Sequence, residues 1–239
     1  MLIFDEDRAS DSPYVERVWR SHSEGAGSFV SVAESRAEIV VAKCQGRVSV
    51  WVRGPETRAT HGPYLADGEW LGIRFKPGAY VLPQPARKLV DRKVSLPEAM
   101  RGSFWLNGSR WQVPRFDNAD TFVEWLVRED LLVADPAVAA ALLGEAAGSS
   151  LRTLQRHFLQ ATGITHGLVR QIERARNAAL LLRGGVAIAD AVREAGYFDQ
   201  PHLTRSMRRF IGQTPAELLD AYRSDQLSFL YKTQPFAMP

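Results

Sequence analysis

The sequence predicts an α+β protein in which a small antiparallel β-sheet or barrel is followed by an all-α domain. Up to about residue 115, short runs of strand-forming residues alternate with Gly and Pro breaks. From Asp117 onward the apolar residues follow helical spacing instead. The helical part also presents one pattern twice, which predicts two helix-turn-helix units joined by a long linker helix. We therefore expect a β-rich domain at 1–116, a helical domain at 117–223 and an apolar tail at 224–239.

The β-rich part contains four clear candidate strands. Gln45-Gly46 between two of them has the composition of a tight hairpin turn. Val48, Val50 and Val52 alternate with Ser49, Trp51 and Arg53, so one face of that strand is apolar and the other is mixed. A short helix is expected near Tyr14 to Ser21. The candidate strands are Phe29–Val32, Glu38–Lys43, Arg47–Arg53 and Glu69–Phe75.

The helical part begins with two helices that precede the repeated pattern. Asn118 or Asp120 can cap the first, and Asp135 followed by Pro136 opens the second with a good N-cap and a proline at the first helical position. We expect the first helix, Ala119–Glu129, to contribute to the core of the first helix-turn-helix unit.

The repeated pattern is a short amphipathic helix that follows a small residue and a glycine, Ala147-Gly148 and Ala195-Gly196. Each copy starts with a helix N-cap residue, Ser150 or Asp199. Apolar side chains at helical spacing define an inward stripe in each copy, and polar side chains define an outward stripe. The inward residues are Leu151, Leu154 and Phe158, then Leu203, Met207 and Phe210. The outward residues are Arg152, Gln155, Arg156 and Leu159, then Pro201, Thr204, Arg205 and Arg208.

A single continuous helix is predicted between the copies, from Thr165 to Arg183. Its apolar stripe consists of Leu168, Ile172, Ala175, Ala179 and Leu182. About 18 residues at roughly 1.5 Å each give a rod of about 27 Å. Such a rod would hold the two outward stripes near one DNA turn apart, about 34 Å. Arg can pair with guanine edges and Gln with adenine edges, although a solvated charged face is the alternative interpretation of either helix alone.

Composition and charge narrow the class of protein further. The chain has 239 residues and one cysteine, Cys44, so no disulfide can form within it. The N-terminus lacks a signal peptide's basic start and no apolar stretch reaches a membrane span, so we expect a cytoplasmic protein that does not enter a membrane. Ser150 to Arg223 contains 11 Arg, no Lys and 6 acidic residues, a net charge of +5, against −2 for Met1 to Ser149. A basic C-terminal half is typical of a nucleic-acid-binding module.

The C-terminal motifs resemble the AraC/XylS family of transcription regulators. The resemblance covers about Pro136 to Leu219 and is carried by Leu154-Gln-Arg-x-Phe158, Glu194-Ala-Gly-Tyr-Phe-Asp-Gln200 and Arg209-Phe-Ile-Gly-Gln-Thr-Pro215. It implies a sequence-specific regulator that inserts two recognition helices into successive major grooves of double-stranded DNA. Pro201 departs from the family, because relatives often have a polar residue there. The DNA-contacting positions that the resemblance implies are Arg152, Gln155, Arg156, Gln200, Pro201, His202, Thr204 and Arg205.

The N-terminal part is expected to sense a small-molecule effector or to mediate dimerisation, and one of its segments, Leu71–Ala79, is weakly similar to sensor domains of some AraC-type proteins. Its tryptophans can line a ligand pocket or simply fill a small core. These are Trp51, Trp70, Trp105 and Trp111. We expect an apolar tail that docks on this part or on a second copy of the chain. RNA polymerase is a further candidate partner.

Catalysis, cofactors and metal ions are not expected. His22 and His61 lie far apart without ligand spacing, and nothing local activates Cys44. Two alternatives stay open. One is a non-specific nucleic-acid-binding module that touches only phosphate, and the other is an enzyme domain attached to a DNA-binding domain.

Overall fold

The structure is a computed structural model that describes residues 2–82, 84, 86–142 and 150–220. A short 3-10 helix at Phe116–Asn118 precedes the second α-helix. The strands are β1 Leu2–Ala9, β2 Val15–Ser23, β3 Gly27–Ser31, β4 Glu38–Cys44, β5 Arg47–Arg53, β6 Thr60–Tyr64, β7 Glu69–Phe75, β8 Ala79–Val81, β9 Lys93–Leu96, β10 Glu98–Met100, β11 Ser103–Leu106, β12 Ser109–Gln112 and β13 Leu132–Ala134. The α-helices are α1 Ala86–Leu89, α2 Ala119–Arg128, α3 Pro136–Leu142, α4 Leu151–Ala161, α5 His166–Arg183, α6 Ile188–Glu194, α7 Gln200–Phe210 and α8 Pro215–Leu219.

The N-terminal part is built on a six-stranded antiparallel sheet with the strand order β1-β2-β7-β4-β5-β9. Its two edges, β1 and β9, do not pair with each other, so this sheet does not close into a barrel. Gln45 and Gly46 have φ values of 50° and 75°, as the predicted tight turn between β4 and β5 requires. The α+β prediction is therefore confirmed, with a sheet rather than a barrel.

One face of the sheet is apolar and forms a core with α2. Ile39, Val52 and Ile73 are fully buried on this face. Phe122 and Leu126 of α2 pack against the same core. The expectation that Ala119–Glu129 supports the first helix-turn-helix unit is therefore wrong, because the apolar stripe of α2 is used by the sheet. The boundary near residue 116 stays a prediction.

The opposite face of the sheet carries aromatic and charged side chains. Cross-strand pairing aligns Trp19 with Gly72, Gly72 with Val40, and Val40 with Trp51. A Cβ on Gly72 would overlap the Trp19 indole, so glycine is needed for the ring to lie across the sheet. The two-stranded ribbon β3-β6 faces these aromatic residues.

The segment predicted as a short helix near Tyr14 to Ser21 instead forms strand β2 from Val15 onward. Val15 and Val18 are both fully buried. Their spacing of three residues is helical in appearance, but it arises from a β-bulge between Val15 and Arg17. An extra residue in a bulge shifts the alternation of side chains by one, and the sequence alone does not show it.

The helical part has its own core, which α3 to α8 share with β3. Ile172, Ala175, Ala179 and Leu182 of α5 are fully buried there, which confirms the predicted stripe. Val30 of β3 and the adjoining Val32 and Ala33 belong to the same core. The ribbon therefore packs into the helical domain as well as facing the sheet.

Candidate nucleic-acid interface

The first recognition helix of the prediction is α4. The hydroxyl oxygen of Ser150 accepts the amide hydrogen of Thr153 at 3.2 Å, as the predicted N-cap should. Phe158 is fully buried and Leu154 packs partly buried against the helical core. Leu159 is 45% exposed, on the predicted outward stripe. The preceding turn at Ala147-Gly148 lies outside the described residues.

The second recognition helix is α7. The carboxylate of Asp199 accepts the amide hydrogen of His202 at 2.7 Å, which confirms the predicted N-cap. Pro201 lies in the first turn, where its missing amide hydrogen leaves no helical hydrogen bond unmade. Leu203, Met207 and Phe210 are buried. Gly196, in the turn before the helix, has a φ of 70° that favours glycine.

Most of the predicted DNA-contacting side chains are open to solvent. His202 is one of two exceptions. Its half-buried ring packs edge-on against the Tyr197 ring, with ring centroids 5.1 Å apart. Burial raises the pKa of the Tyr197 hydroxyl, which shares a 2.8 Å hydrogen bond with Ser206. Thr204 is also half-buried. The exposed positions are Arg152, Gln155, Arg156, Gln200, Pro201 and Arg205.

The helix α5 joins the two units. Its 18 residues begin after Thr165, whose hydroxyl accepts the amide hydrogen of Leu168 at 3.2 Å. The predicted linker helix, Thr165 to Arg183, is therefore confirmed with Thr165 as its N-cap, and its length corresponds to about 27 Å.

A basic groove between α5 and α7 was not predicted. It is a cavity of about 530 Å³ whose lining includes Arg170, Arg174, Arg205 and Arg209. Arg170 and Arg174 are four residues apart, on one side of α5. Their spacing relative to the buried stripe was visible in the sequence. Their proximity to α7 was not, because it depends on how the two helices pack.

The N-terminal part contacts the C-terminal end of α7 through its backbone. The amide of Ala33 donates to the carbonyl of Phe210 at 2.8 Å, and the amide of Ala59 donates to the carbonyl of Arg209 at 2.9 Å. A helix ends with carbonyls that have no partner inside the helix. Here two segments of the β-rich part supply the donors.

A buried ion cluster also ties α5 to the sheet. The Arg176 guanidinium of α5 donates to the Glu34 carboxylate at 2.7 Å. Glu173, one turn earlier, accepts from Arg36 at 2.9 Å. Arg74 of β7 lies 3.1 Å from Glu34. Each arginine of the cluster is only 2–3% exposed.

The electrostatics of this cluster favour the charged forms. Burial alone would raise the pKa of Glu34, but the positive charges of Arg176, Arg74 and Arg36 outweigh burial and hold that pKa well below its usual range. The cluster is therefore a paired, desolvated ionic contact between two parts of the chain that are far apart in sequence.

A second cavity lies between the aromatic face of the sheet and the β3-β6 ribbon. Its volume is about 580 Å³, and its lining includes Trp19, Trp51 and Trp70. Of the other predicted tryptophans, Trp105 is 44% exposed and Trp111 packs edge-on against Phe122 in the sheet core. Trp51 and Trp70 thus line a cavity, Trp111 packs in the core, and Trp105 does neither. Trp19 was not among the predicted pocket residues. It lies in a strand that the sequence predicted as a helix.

Cys44 lines the same cavity. Burial raises the pKa of its thiol, so the thiol form is favoured at neutral pH. In the described part of the chain, His22 pairs with Asp5 at 2.7 Å. No group of three or more His, Cys, Asp or Glu residues there is placed to hold a metal ion.

Comparison with known proteins agrees with this geometry. Residues 143–221 match the family model described as a helix-turn-helix domain. An 88-residue stretch, 36% of this chain, is 38% identical to the HTH-type transcriptional regulator RipA of Corynebacterium glutamicum. The aligned stretch is 27% of that relative's length, so this chain matches about a quarter of it. No solved structure matches the chain significantly.

The C-terminal part of the chain is therefore an AraC-type helix-turn-helix domain, which confirms the resemblance seen in the sequence. Among the described helices, none combines the length and apolar character that a membrane crossing requires.

Proposed function

We propose that this protein is a sequence-specific transcription regulator that places α4 and α7 in successive major grooves of double-stranded DNA. The observation that carries this proposal is the repeated outward face, with Arg152, Gln155 and Arg156 on one helix and Gln200 and Arg205 on the other. All five side chains are exposed, and on the inner sides of the two helices Phe158 of α4 and Leu203, Met207 and Phe210 of α7 are buried. Arg and Gln are the residues that pair with the edges of guanine and adenine.

Phosphate contacts are proposed for the groove between α5 and α7. Arg170, Arg174 and Arg209 supply positive charge next to the base-reading side of α7. Arginine binds phosphate through forked hydrogen bonds. Such contacts fix the register of a protein on DNA and carry no sequence information directly. The groove would therefore position the second recognition helix while Gln200 and Arg205 read the bases.

A titration followed by fluorescence anisotropy tests this assignment. Duplexes that tile the intergenic DNA beside the gene are compared with scrambled duplexes at two salt concentrations. A regulator should prefer one fragment by about 10³ or more. A non-specific module should instead bind all duplexes similarly, with a steep loss of affinity as salt rises.

The matched variants are Arg205→Ala and Arg193→Ala. Arg205 is an exposed residue of α7, whereas the side chain of Arg193 in α6 is 74% exposed and pairs with Asp190. Loss of sequence preference in the first variant, with no change in the second, supports base contact by α7. Equal weakening of both variants on every duplex would contradict it.

We also propose that a small-molecule effector in the cavity next to the β3-β6 ribbon controls DNA binding. Ser31, Glu56 and Thr60 line that cavity. Ala33 and Ala59, which lie within three residues of them, hold the end of α7. An effector that shifts the ribbon would therefore act on α7 directly, and its effect can equal only its preference for one arrangement over the other.

Contacts with RNA polymerase and with a second copy of the chain stay predictions from the sequence. The tail at 224–239 lies outside the described residues. Deleting residues 225–239 and measuring oligomeric state by sedimentation tests its predicted docking role.

A further inference from the structure

The cavity beside the β3-β6 ribbon has a flat aromatic lining. The indoles of Trp19, Trp51 and Trp70 contribute to it from the sheet, while Phe29 and Tyr64 contribute from the ribbon. A Cβ on Gly68 would overlap the Trp70 ring, as a Cβ on Gly72 would overlap the Trp19 ring. Both indoles thus lie close to backbone that has no side chain. About 580 Å³ is within the usual range for a small-molecule site.

The charges around the cavity are unequal. Its lining contains four cationic side chains, Arg53, Arg58, Arg92 and Lys93, but only two carboxylates, Glu56 and Asp91. The two carboxylates already have partners inside the protein. Glu56 accepts from Arg53 at 2.7 Å, and Asp91 accepts from the amide and the hydroxyl of Thr57, both at 2.7 Å.

The remaining cationic side chains, Arg58, Arg92 and Lys93, lie at the rim of the cavity. Arg58 and Arg92 are exposed, and no ion pair to either is found among the residues that the structure describes. The Lys93 ammonium lies 4.5 Å from the centroid of the Trp51 ring, so it borders the aromatic lining. A cationic ligand would be repelled by this rim, although tryptophans alone would suit one. An anion would gain forked hydrogen bonds from arginine.

We propose that this cavity binds an organic anion with a flat aromatic body, whose carboxylate faces Arg58, Arg92 and Lys93. The aromatic body would stack among the three indoles, and the carboxylate would remain at the rim. This inference rests on the proposed effector control and specifies the chemical class of the effector.

The test uses three probes of one shape and different charge: 1-naphthoate, neutral 1-naphthamide and cationic 1-naphthylmethylamine. Each is titrated calorimetrically into the full chain. We expect naphthoate to bind with a stoichiometry of one and about tenfold or more tighter than the amide, since a hydrogen bond to a charged group is stronger than a neutral one. Equal binding of the amide or the amine, or no saturable binding of naphthoate, would overturn the proposal.

Paired variants locate the site. Arg58→Gln with Arg92→Gln should remove the preference for naphthoate over naphthamide. Arg87→Gln with Lys88→Gln is the control, because both residues are exposed on α1 and do not line the cavity. Both double variants change only exposed side chains, and their thermal unfolding checks that they fold. An equal loss of preference in the control would place the anion elsewhere and overturn the assignment.

DNA binding of the same proteins is measured separately, without any probe. Sequence-specific DNA binding together with absent naphthoate preference would reject the ligand class and keep the regulator. Naphthoate preference without sequence-specific DNA binding would reject the regulator and keep the site.

Discussion

The two recognition helices are built alike but are anchored differently. The carbonyls at the end of α7 receive backbone hydrogen bonds from Ala33 and Ala59. The end of α4 is instead met by α1: a Cβ on Gly163 would collide with Ala86 and Val90. In α4, Nδ1 of His157 also lies 2.6 Å from Oδ2 of Asp135.

The proposed reading of bases and the proposed control of DNA binding therefore depend on different parts of the sequence. The proposed base-reading faces are encoded locally, by helical spacing in each copy. Anchoring depends on segments that are distant in sequence: Ala33 and Ala59 hold the end of α7 through directional hydrogen bonds, whereas Ala86 and Val90 meet the end of α4 through packing. Directional bonds fix orientation more strictly than apolar contacts do. A signal in the β-rich part should therefore change the second recognition helix more than the first.

The largest effect is expected from breaking the ion cluster that holds α5. Arg176→Met leaves Glu34 and Glu173 buried without this partner, and removal of one partner of a buried pair typically costs about 3–5 kcal/mol. Urea unfolding measures the loss. Arg193→Met, at an exposed position, should change the free energy of unfolding by about 0.5 kcal/mol or less. A similar small change for Arg176→Met would show that the cluster does not stabilise the fold.

Next in size are the base contacts of each recognition helix. Arg156→Ala and Arg205→Ala should each weaken binding at the specific site by about 1–3 kcal/mol and relax the preference at one half-site only. Anisotropy on duplexes mutated in one half-site at a time measures both effects. If either variant relaxed both half-sites, the assignment of one helix to one half-site would fail.

The cluster also predicts a pH dependence. Because the pKa of Glu34 is held well below its usual value, the unfolded chain binds a proton at moderately acid pH while the folded chain does not. The stabilisation by Glu34 is thus fully present above the ordinary glutamate pKa of about 4.3. It is lost as pH falls below that value, by about 1.4 kcal/mol per pH unit.

Glu34→Gln cannot titrate, so its free energy of unfolding should fall less steeply with acid than that of the native chain. Urea unfolding at a series of pH values provides the comparison. Parallel curves for the two proteins would mean that Glu34 is not held in its charged form.

The smallest expected effect tests the backbone hydrogen bond that anchors the end of α7. Ala59→Pro removes the amide that donates to Arg209, while Ala59→Ser keeps it. One backbone hydrogen bond contributes about 0.5–1.5 kcal/mol. We expect Ala59→Pro to weaken binding at the half-site of α7 by a few-fold at most and to leave the half-site of α4 unchanged. Equal effects of Ala59→Ser, or equal effects at both half-sites, would argue against this anchor.

Local patterns predicted a large part of the fold and of the surface that we propose faces DNA. The caps Ser150 and Asp199 each act within three residues, so the sequence shows them directly. Strands β4, β5 and β7 were also evident from alternation and turn residues. The strand β2 was not, because its bulge places Val15 and Val18 at helical spacing.

Long-range partners escaped prediction for a different reason. Glu34, Arg74 and Arg176 come from three distant segments, and nothing in their local sequence distinguishes them from solvated charges. The helix α2 carries an apolar stripe that suits either core, so its packing on the sheet required the structure. The rim of the anion cavity likewise joins Arg58 to Arg92 only through the fold.

In the proposed complex, two recognition helices on one chain read two half-sites about one DNA turn apart. The most direct measurement is anisotropy on a duplex that the protein itself selects from random sequence, with about 5 base pairs, half a turn, inserted between the half-sites. We expect the insertion to reduce affinity to that of a duplex with one half-site intact. We also expect Arg205→Ala to have no further effect on the split duplex when α4 keeps its half-site. Undiminished affinity after the insertion would contradict the proposed complex.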